Sequence, residues 1–413
     1  MVEPIGPGGS SGEIPPSGSS GTSGNNPDPT APTPKAPIGP YTGLVGTTDV
    51  SILYPMPLNG ASKDFIPAGF MGDHGILLPR ETFTTVAGTS LDRTHSIPPS
   101  GFDQLVLISL RLDPCSARKG SGCTPEARAV FQAVYTNGTG GTFEDGDTTA
   151  GMTTSDGAVH VMYDLSEAEL VIMMKQILTL KAANGGLADQ VLGVHPILAA
   201  QGLGGPFAKG LQAIILEHLG SERIARVTTF DHNMDPDEDG WTFKIFDNVG
   251  GSFVAKKIPT TTFEQQTAFG SRAFEGPLTS TGAETFSDTT VADKVDALVA
   301  RSRPAVGSAD VASKLVPAFG AALRVQNPSI HTAESIDCTT CHLAEGAKLI
   351  GKATYALDDS AAFKHSRVLE YKSERASVTN LHAFGYLHRK VSIMQRTANE
   401  SAVVADAMEQ KVK

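Results

Sequence analysis

Gln104-Leu-Val-Leu-Ile-Ser-Leu-Arg-Leu112 and Ala129-Val-Phe-Gln-Ala-Val-Tyr135 are two short apolar runs rich in β-branched and aromatic residues. Runs of this length and type predict strands. Between them Cys115 and Cys123 flank the polar stretch Ser-Ala-Arg-Lys-Gly-Ser-Gly. So short a loop brings its ends together, so the strands are expected to pair and the cysteines to form a disulfide, with two unpaired thiols as the alternative. In an oxidising compartment that closure adds about 2–3 kcal/mol by restricting the unfolded chain.

Downstream the pattern alternates between strands and helices. Ala158-Val-His-Val-Met-Tyr163 predicts a third strand. Ser166-x-x-Glu169 is a capping box, and Leu170, Met173, Met174, Ile177 and Leu178 follow at helical spacing, as a core face does. A second helix is expected from Pro206 to a stop at Gly220, with Phe207, Leu211, Ile214, Ile215 and Leu219 on one side. Ile224–Phe230, Trp241–Phe246 and Ser252–Ile258 read as further strands, the last two joined through Asp247-Asn-Val-Gly-Gly251 as a hairpin. The fold class is therefore α+β, a strand-rich domain with two packed helices.

Three regions are expected. Residues 1–40 are dominated by Gly, Pro, Ser and Thr and lack the apolar residues that would offset ordering entropy, so they predict a disordered tether. Residues 41–280 hold the α+β domain. Residues 281–413 are predicted mainly helical: Thr290–Ser302, a helix from Ser308 that Pro317 bends or ends, and a final helix capped by Asn399 or Ser401 and carrying Val403, Val404 and Met408.

The chemistry lies in that last region, at Cys338-Thr-Thr-Cys341-His342. The chain has 4 Cys and 11 His in 413 residues, so chance placement of this pentapeptide is rare. Two thiols three positions apart can each bond a vinyl-derived carbon of haem, and the adjacent imidazole then faces the iron. A zinc site, a redox dithiol and an accidental pair are the other readings of the same residues.

On these five residues the chain resembles c-type cytochromes. The resemblance implies one covalent haem c on Cys338 and Cys341, His342 as proximal ligand, haem loading outside the cytoplasm, and iron cycling between ferrous and ferric. The irregular Asn327-Pro-Ser-Ile-His331 stretch before the motif departs from the small monohaem cytochromes, which bring a helix directly into it.

The sixth iron ligand decides between electron transfer and ligand chemistry. His331 is the first candidate, Met394 the alternative, and His365, His382, His388 and Met408 also lie near or beyond the motif. A weaker signal, Asp235-Pro-Asp237-Glu-Asp239-Gly240, resembles the start of a Ca²⁺ loop, but Phe246 stands where the bidentate Glu belongs. Asp231 and Asp247 are the nearest compensating oxygens, and an acidic turn is the plainer reading.

A formal net charge of −11 argues against nucleic acid and suits a redox partner with a basic docking face. No run approaches a membrane span. Met1 is followed by no basic and apolar leader, so a mature or trimmed extracytoplasmic form is expected, in the periplasm, at the outer-membrane surface or secreted. Residues 1–40 resemble a lipoprotein spacer, which makes a lipid anchor or a homo-oligomer further expectations. Gly8–Gly12 matches Gly-x-Ser-x-Gly without the strand and helix that motif needs. The functional expectation is a monohaem electron-transfer protein, with the question of enzymatic activity left open by the sequence. The alternatives are a non-catalytic envelope or assembling protein stabilised by haem, and a peroxidase-like oxidoreductase.

Overall fold

The computed structural model describes residues 45–56, 64–88, 99–115, 123–137, 151–154, 156–186, 191–234, 238–271, 278–281, 316–368, 371–374 and 380–413. The chain divides into two units, Met1–Thr33 and Pro34–Lys413, and all of these residues belong to the second. The expected tether over 1–40 lies outside them, as do the helix expected at 290–302 and the start of the one at 308–316.

The strands are β1 (Ser51–Leu53), β2 (Met71–Gly72), β3 (Gly75–Ile76), β4 (Leu105–Asp113), β5 (Glu126–Asn137), β6 (Gly151–Thr154), β7 (Ala158–Asp164), β8 (Ile224–Met234), β9 (Glu238–Val249), β10 (Ser252–Lys256), β11 (Gln265–Ser271), β12 (Leu278–Thr281), β13 (Phe384–Leu387) and β14 (Lys390–Ile393). The helices are α1 (Thr47–Val50), α2 (Arg80–Gly88), α3 (Glu167–Ala183), α4 (Pro196–Gln201), α5 (Pro206–His218), α6 (Val316–Val325), α7 (Cys338–Tyr355) and α8 (Gln395–Val412).

Ten strands form one antiparallel sheet in the order β1-β4-β5-β7-β8-β9-β11-β12, with β6 on β5 and β10 on β9. The expected β4–β5 pair is present, with Leu110 opposite Ala129, and the Cys115–Cys123 disulfide lies between the two strands. Between β9 and β10 the turn is only Gly250-Gly251, because Asp247, Asn248 and Val249 stay in the ladder. Both glycines have positive φ, +61° and +89°, which a two-residue turn of this hand requires.

Period-2 alternation splits the central strands between two faces. On β5, Ala127, Ala129 and Phe131 join one hydrophobic cluster while Val130 joins the other. On β7, Val159, Val161 and Tyr163 share the first cluster and Ala158 the second. The first cluster is covered by α3 and α5 through Met173, Met174, Ile177, Leu211, Ile214 and Ile215, all buried. Each such side chain contributes roughly 1.5–3 kcal/mol by leaving water. The α3 capping box forms as expected, with Ser166 accepting from the Glu169 amide.

The second cluster is closed by α6 and α7. These helices meet so closely that a Cβ at Gly351 would stand 2.3 Å from the Phe319 ring, which is why glycine occupies that turn of α7. Pro317 does not end its helix, since α6 continues past it to Val325. It falls in the first described turn, where a missing N–H is best tolerated.

The final helix starts at Gln395 with Met394 at the N-cap, not at the expected Asn399. Asn399 is fully buried, and its amide donates to the carbonyls of Gln326 and Phe363 instead of capping. The described part of 281–413 thus carries α6, α7, α8 and one hairpin, β13–β14. That hairpin is clamped to the sheet by Gln132, which donates to the Tyr386 carbonyl at 2.8 Å and accepts from the Tyr386 amide at 2.9 Å. Among the described residues no helix is long and apolar enough to cross a membrane.

Candidate functional site

The Cys338–His342 segment is the first turn and a half of α7. Its N-cap is Asp337, whose Oδ1 accepts from the Thr340 amide at 2.9 Å and from the Gln266 side chain at 2.6 Å. Gln266, buried on β11, accepts in turn from the Thr339 amide at 2.9 Å. The sheet therefore fixes where this helix begins and how it is rotated. Cys338 and Cys341, three residues apart, share a face and line one cavity.

His342 is held from both sides. Its Nδ1–H donates to the Leu381 carbonyl at 2.6 Å. A carbonyl only accepts, so this bond sets the tautomer and leaves Nε2 as the lone-pair nitrogen, the atom an imidazole uses toward a metal. Phe230 and Phe243, themselves in contact, pack beside the ring with centroids 5.8 Å and 4.8 Å away.

The cavity has a volume of about 160 Å³. One wall is the sheet, from β4 through β9; the other is the start of α7 with the segment from Ala383 to Glu400. Val130, Phe230, Phe243, Ile245 and Ile336 make it apolar in the middle. Charge is also concentrated there: Arg111, Arg128, Arg226, Lys244 and Arg396 against Glu126, Asp337 and Glu400. The lining therefore carries an excess of two positive charges in a chain whose formal charge is −11.

These cations are held in place. Arg111 pairs with Glu400 at 2.9 Å, Arg128 with Glu126 at 2.9 Å, and Arg226 with Asp247 at 2.6 Å. Arg396 donates to the Val325 and His331 carbonyls. Arg128 Nε is buried with no hydrogen-bond partner among the described residues. Burial alone would raise the Glu400 carboxyl, but Arg111, Arg396 and Arg128 outweigh it and hold it down to about 2.

A carboxyl depressed in the folded state stabilises that state above its unfolded value of about 4.3 and loses the contribution as pH falls through the folded value. Acid titration of stability should therefore show a decline between about pH 4.5 and 2, on the order of 2 kcal/mol from this group. Glu400→Gln is expected to be less stable at neutral pH and to flatten that decline, as thermal melts across the range would show.

Burial, reinforced by Asp337 and Cys341, pushes the Cys338 thiol well above its usual range, and burial raises Cys341 too. A redox dithiol needs the opposite shift. The two thiols are unbonded to each other. Among the described residues no cluster of three or more His, Cys, Asp or Glu side chains is placed to hold a metal ion.

Of the expected sixth ligands, Met394 lines the cavity. His331 is buried outside its lining, with its carbonyl bound by Arg396. His365 pairs with Asp406 at 3.1 Å, and His382 Nε2 lies 2.7 Å from Asp156. His388 occupies the β13–β14 turn with φ +54°, and Met408 belongs to the core beneath α8. His160, on β7, does line the cavity and was not singled out by the sequence. Its signal was present, a lone imidazole on an apolar strand, two residues from Met162 and out of phase with Val159 and Val161. Burial, then Arg128, His342 and His382, hold it well below the ordinary imidazole value, so it is neutral.

For the calcium reading, Asp235 and Asp237 lie outside the described residues, and Asp239 is a ladder residue of β9 opposite Met234 and Gly270. Asp247, an expected compensating ligand, is committed to Arg226 and Lys256. No protein-family model matches the chain, and neither a curated protein nor a solved structure matches it.

Proposed function

We propose that this chain is an extracytoplasmic monohaem c-type cytochrome that transfers electrons, with the haem bonded to Cys338 and Cys341 and His342 as its proximal ligand. The observation that carries the reading is that His342, held through Nδ1–H by Leu381, lines the same cavity as both cysteines. The donor set fits haem c: two thiols, one imidazole, an apolar middle and five cationic side chains in the lining, against three carboxylates there, for two propionates.

When bound, the haem supplies a one-electron iron couple. The chain's own residues do the rest. Asp337 and Gln266 fix the attachment turn, Leu381 orients the imidazole, and Phe230 and Phe243 pack beside it. Arg111, Arg128 and Arg226, each held by a carboxylate, set a positive field along the wall the propionates would face.

The finer architecture we infer is a C-terminal haem-binding segment over 281–413, carried on the α+β body and tethered by residues 1–40, with a lipid anchor as the expected attachment. The Cys115–Cys123 disulfide supports an oxidising compartment. The net charge of −11 suits a redox partner with a basic face.

Potentiometric titration of the haem-loaded protein tests this function. A single reversible one-electron wave without peroxide turnover is expected; sustained peroxide consumption, or no reversible couple, would contradict electron transfer.

A further inference from the structure

Resting on the haem reading above, we propose that His160 is the second axial ligand of the iron, closing the site as a bis-imidazole centre. His160 stands at the middle of the sheet, opposite Val130 on β5 and Thr228 on β8. The pleat puts it on the face that lines the cavity, together with Met162, Val130 and Thr228. It therefore enters from the sheet wall, whereas Cys338, Cys341 and His342 enter from α7.

Its surroundings leave it uncommitted. Arg111, Arg128 and Arg226, which share the cavity lining, have carboxylate partners. Among the described residues, no hydrogen bond or ion pair holds the ring nitrogens of His160. An imidazole on a rigid central strand, half-buried and unpaired, is poorly explained by packing alone: a strand position facing an apolar core is filled more favourably by a β-branched side chain. A metal–nitrogen bond accounts for it. The neutral ring donates a lone pair to the iron, and no proton or electron moves. Two thioethers, Met162 and Met394, also line the cavity, and the spectrum of a thioether–iron bond distinguishes them from His160.

The test uses protein produced in a host that attaches haem c. Wild type is expected to be low-spin in both oxidation states, inert to carbon monoxide, and without the near-infrared band of a thioether–iron bond. His160→Ala should keep its haem through acid acetone, turn high-spin, and go from negligible to near-complete carbon monoxide binding. Added imidazole should return it to low-spin, and Met394→Ala should match wild type. A wild-type thioether band, or carbon monoxide binding by wild type, overturns the assignment without needing any variant to fold. So does a low-spin His160→Ala protein. In each of those cases haem that survives acid acetone leaves the underlying reading intact. Wild type that retains no haem overturns both.

Discussion

Replacing both Cys338 and Cys341 by serine is expected to abolish haem that survives acid acetone, taking covalent loading from essentially complete to none. Serine is close to cysteine in size, and neither thiol carries a structural bond, since the two remain unpaired. The turn itself is held by Asp337 and Gln266, which the substitutions leave alone. The double variant should therefore fold with α7 in place and differ in the tether. A single Cys341→Ser protein keeps one attachment point, so it should retain haem with one intact vinyl group and a red-shifted reduced spectrum. Staining of denatured protein for haem peroxidase activity, beside circular dichroism of the native protein, separates loss of tether from loss of fold.

The largest effect on stability is expected outside the cavity lining. Lys181, in the last turn of α3, lies 2.7 Å from Asp49 in α1, with side chains 4% and 0% exposed. Asp49 also accepts the Gly46 amide at 2.7 Å, so this one carboxylate ties the start of the described chain to α3. Lys181→Met removes the cation and leaves the carboxylate buried. Breaking such a pair from one side costs about 3–5 kcal/mol, because desolvation of the remaining charge is no longer offset. Urea unfolding should show a loss of that size. Adding Asp49→Leu should recover much of it, since apolar replacement of both partners is often neutral. An unchanged midpoint in Lys181→Met would mean that the pair is energetically idle.

How far the sequence could be read depended on whether a signal was local. β4, β5, β7 and α3 were legible because alternation, capping and helical spacing are local patterns; the Ser166–Glu169 box formed as its spacing implied. The sheet order was not, because β7 pairs with β8 across the α3, α4 and α5 insertion, and no short-range pattern records that partner. The start of α8 was misplaced for a related reason. Asn399 is a good capping residue whose hydrogen bonds go to Gln326 and Phe363, distant in sequence.

The site divides the same way. Cys338, Cys341 and His342 were legible as a contiguous pentapeptide. His331 ranked first as the sixth ligand only because it is close in sequence, yet the cavity lining includes Met394 and, from more than a hundred residues upstream, His160. The arginines lining the cavity were invisible for the same reason: Arg111, Arg128, Arg226 and Arg396 come from four separate elements.

The central claim is that haem is bonded to this polypeptide through its two free cysteines. The most direct measurement is a thiol count on denatured protein purified from a host competent in haem c attachment, paired with the absorption spectrum after acid acetone. The account predicts a coloured polypeptide with no alkylatable thiol, since Cys115 and Cys123 are joined in a disulfide and Cys338 and Cys341 are consumed as thioethers. A colourless polypeptide with two freely alkylated thiols would contradict it.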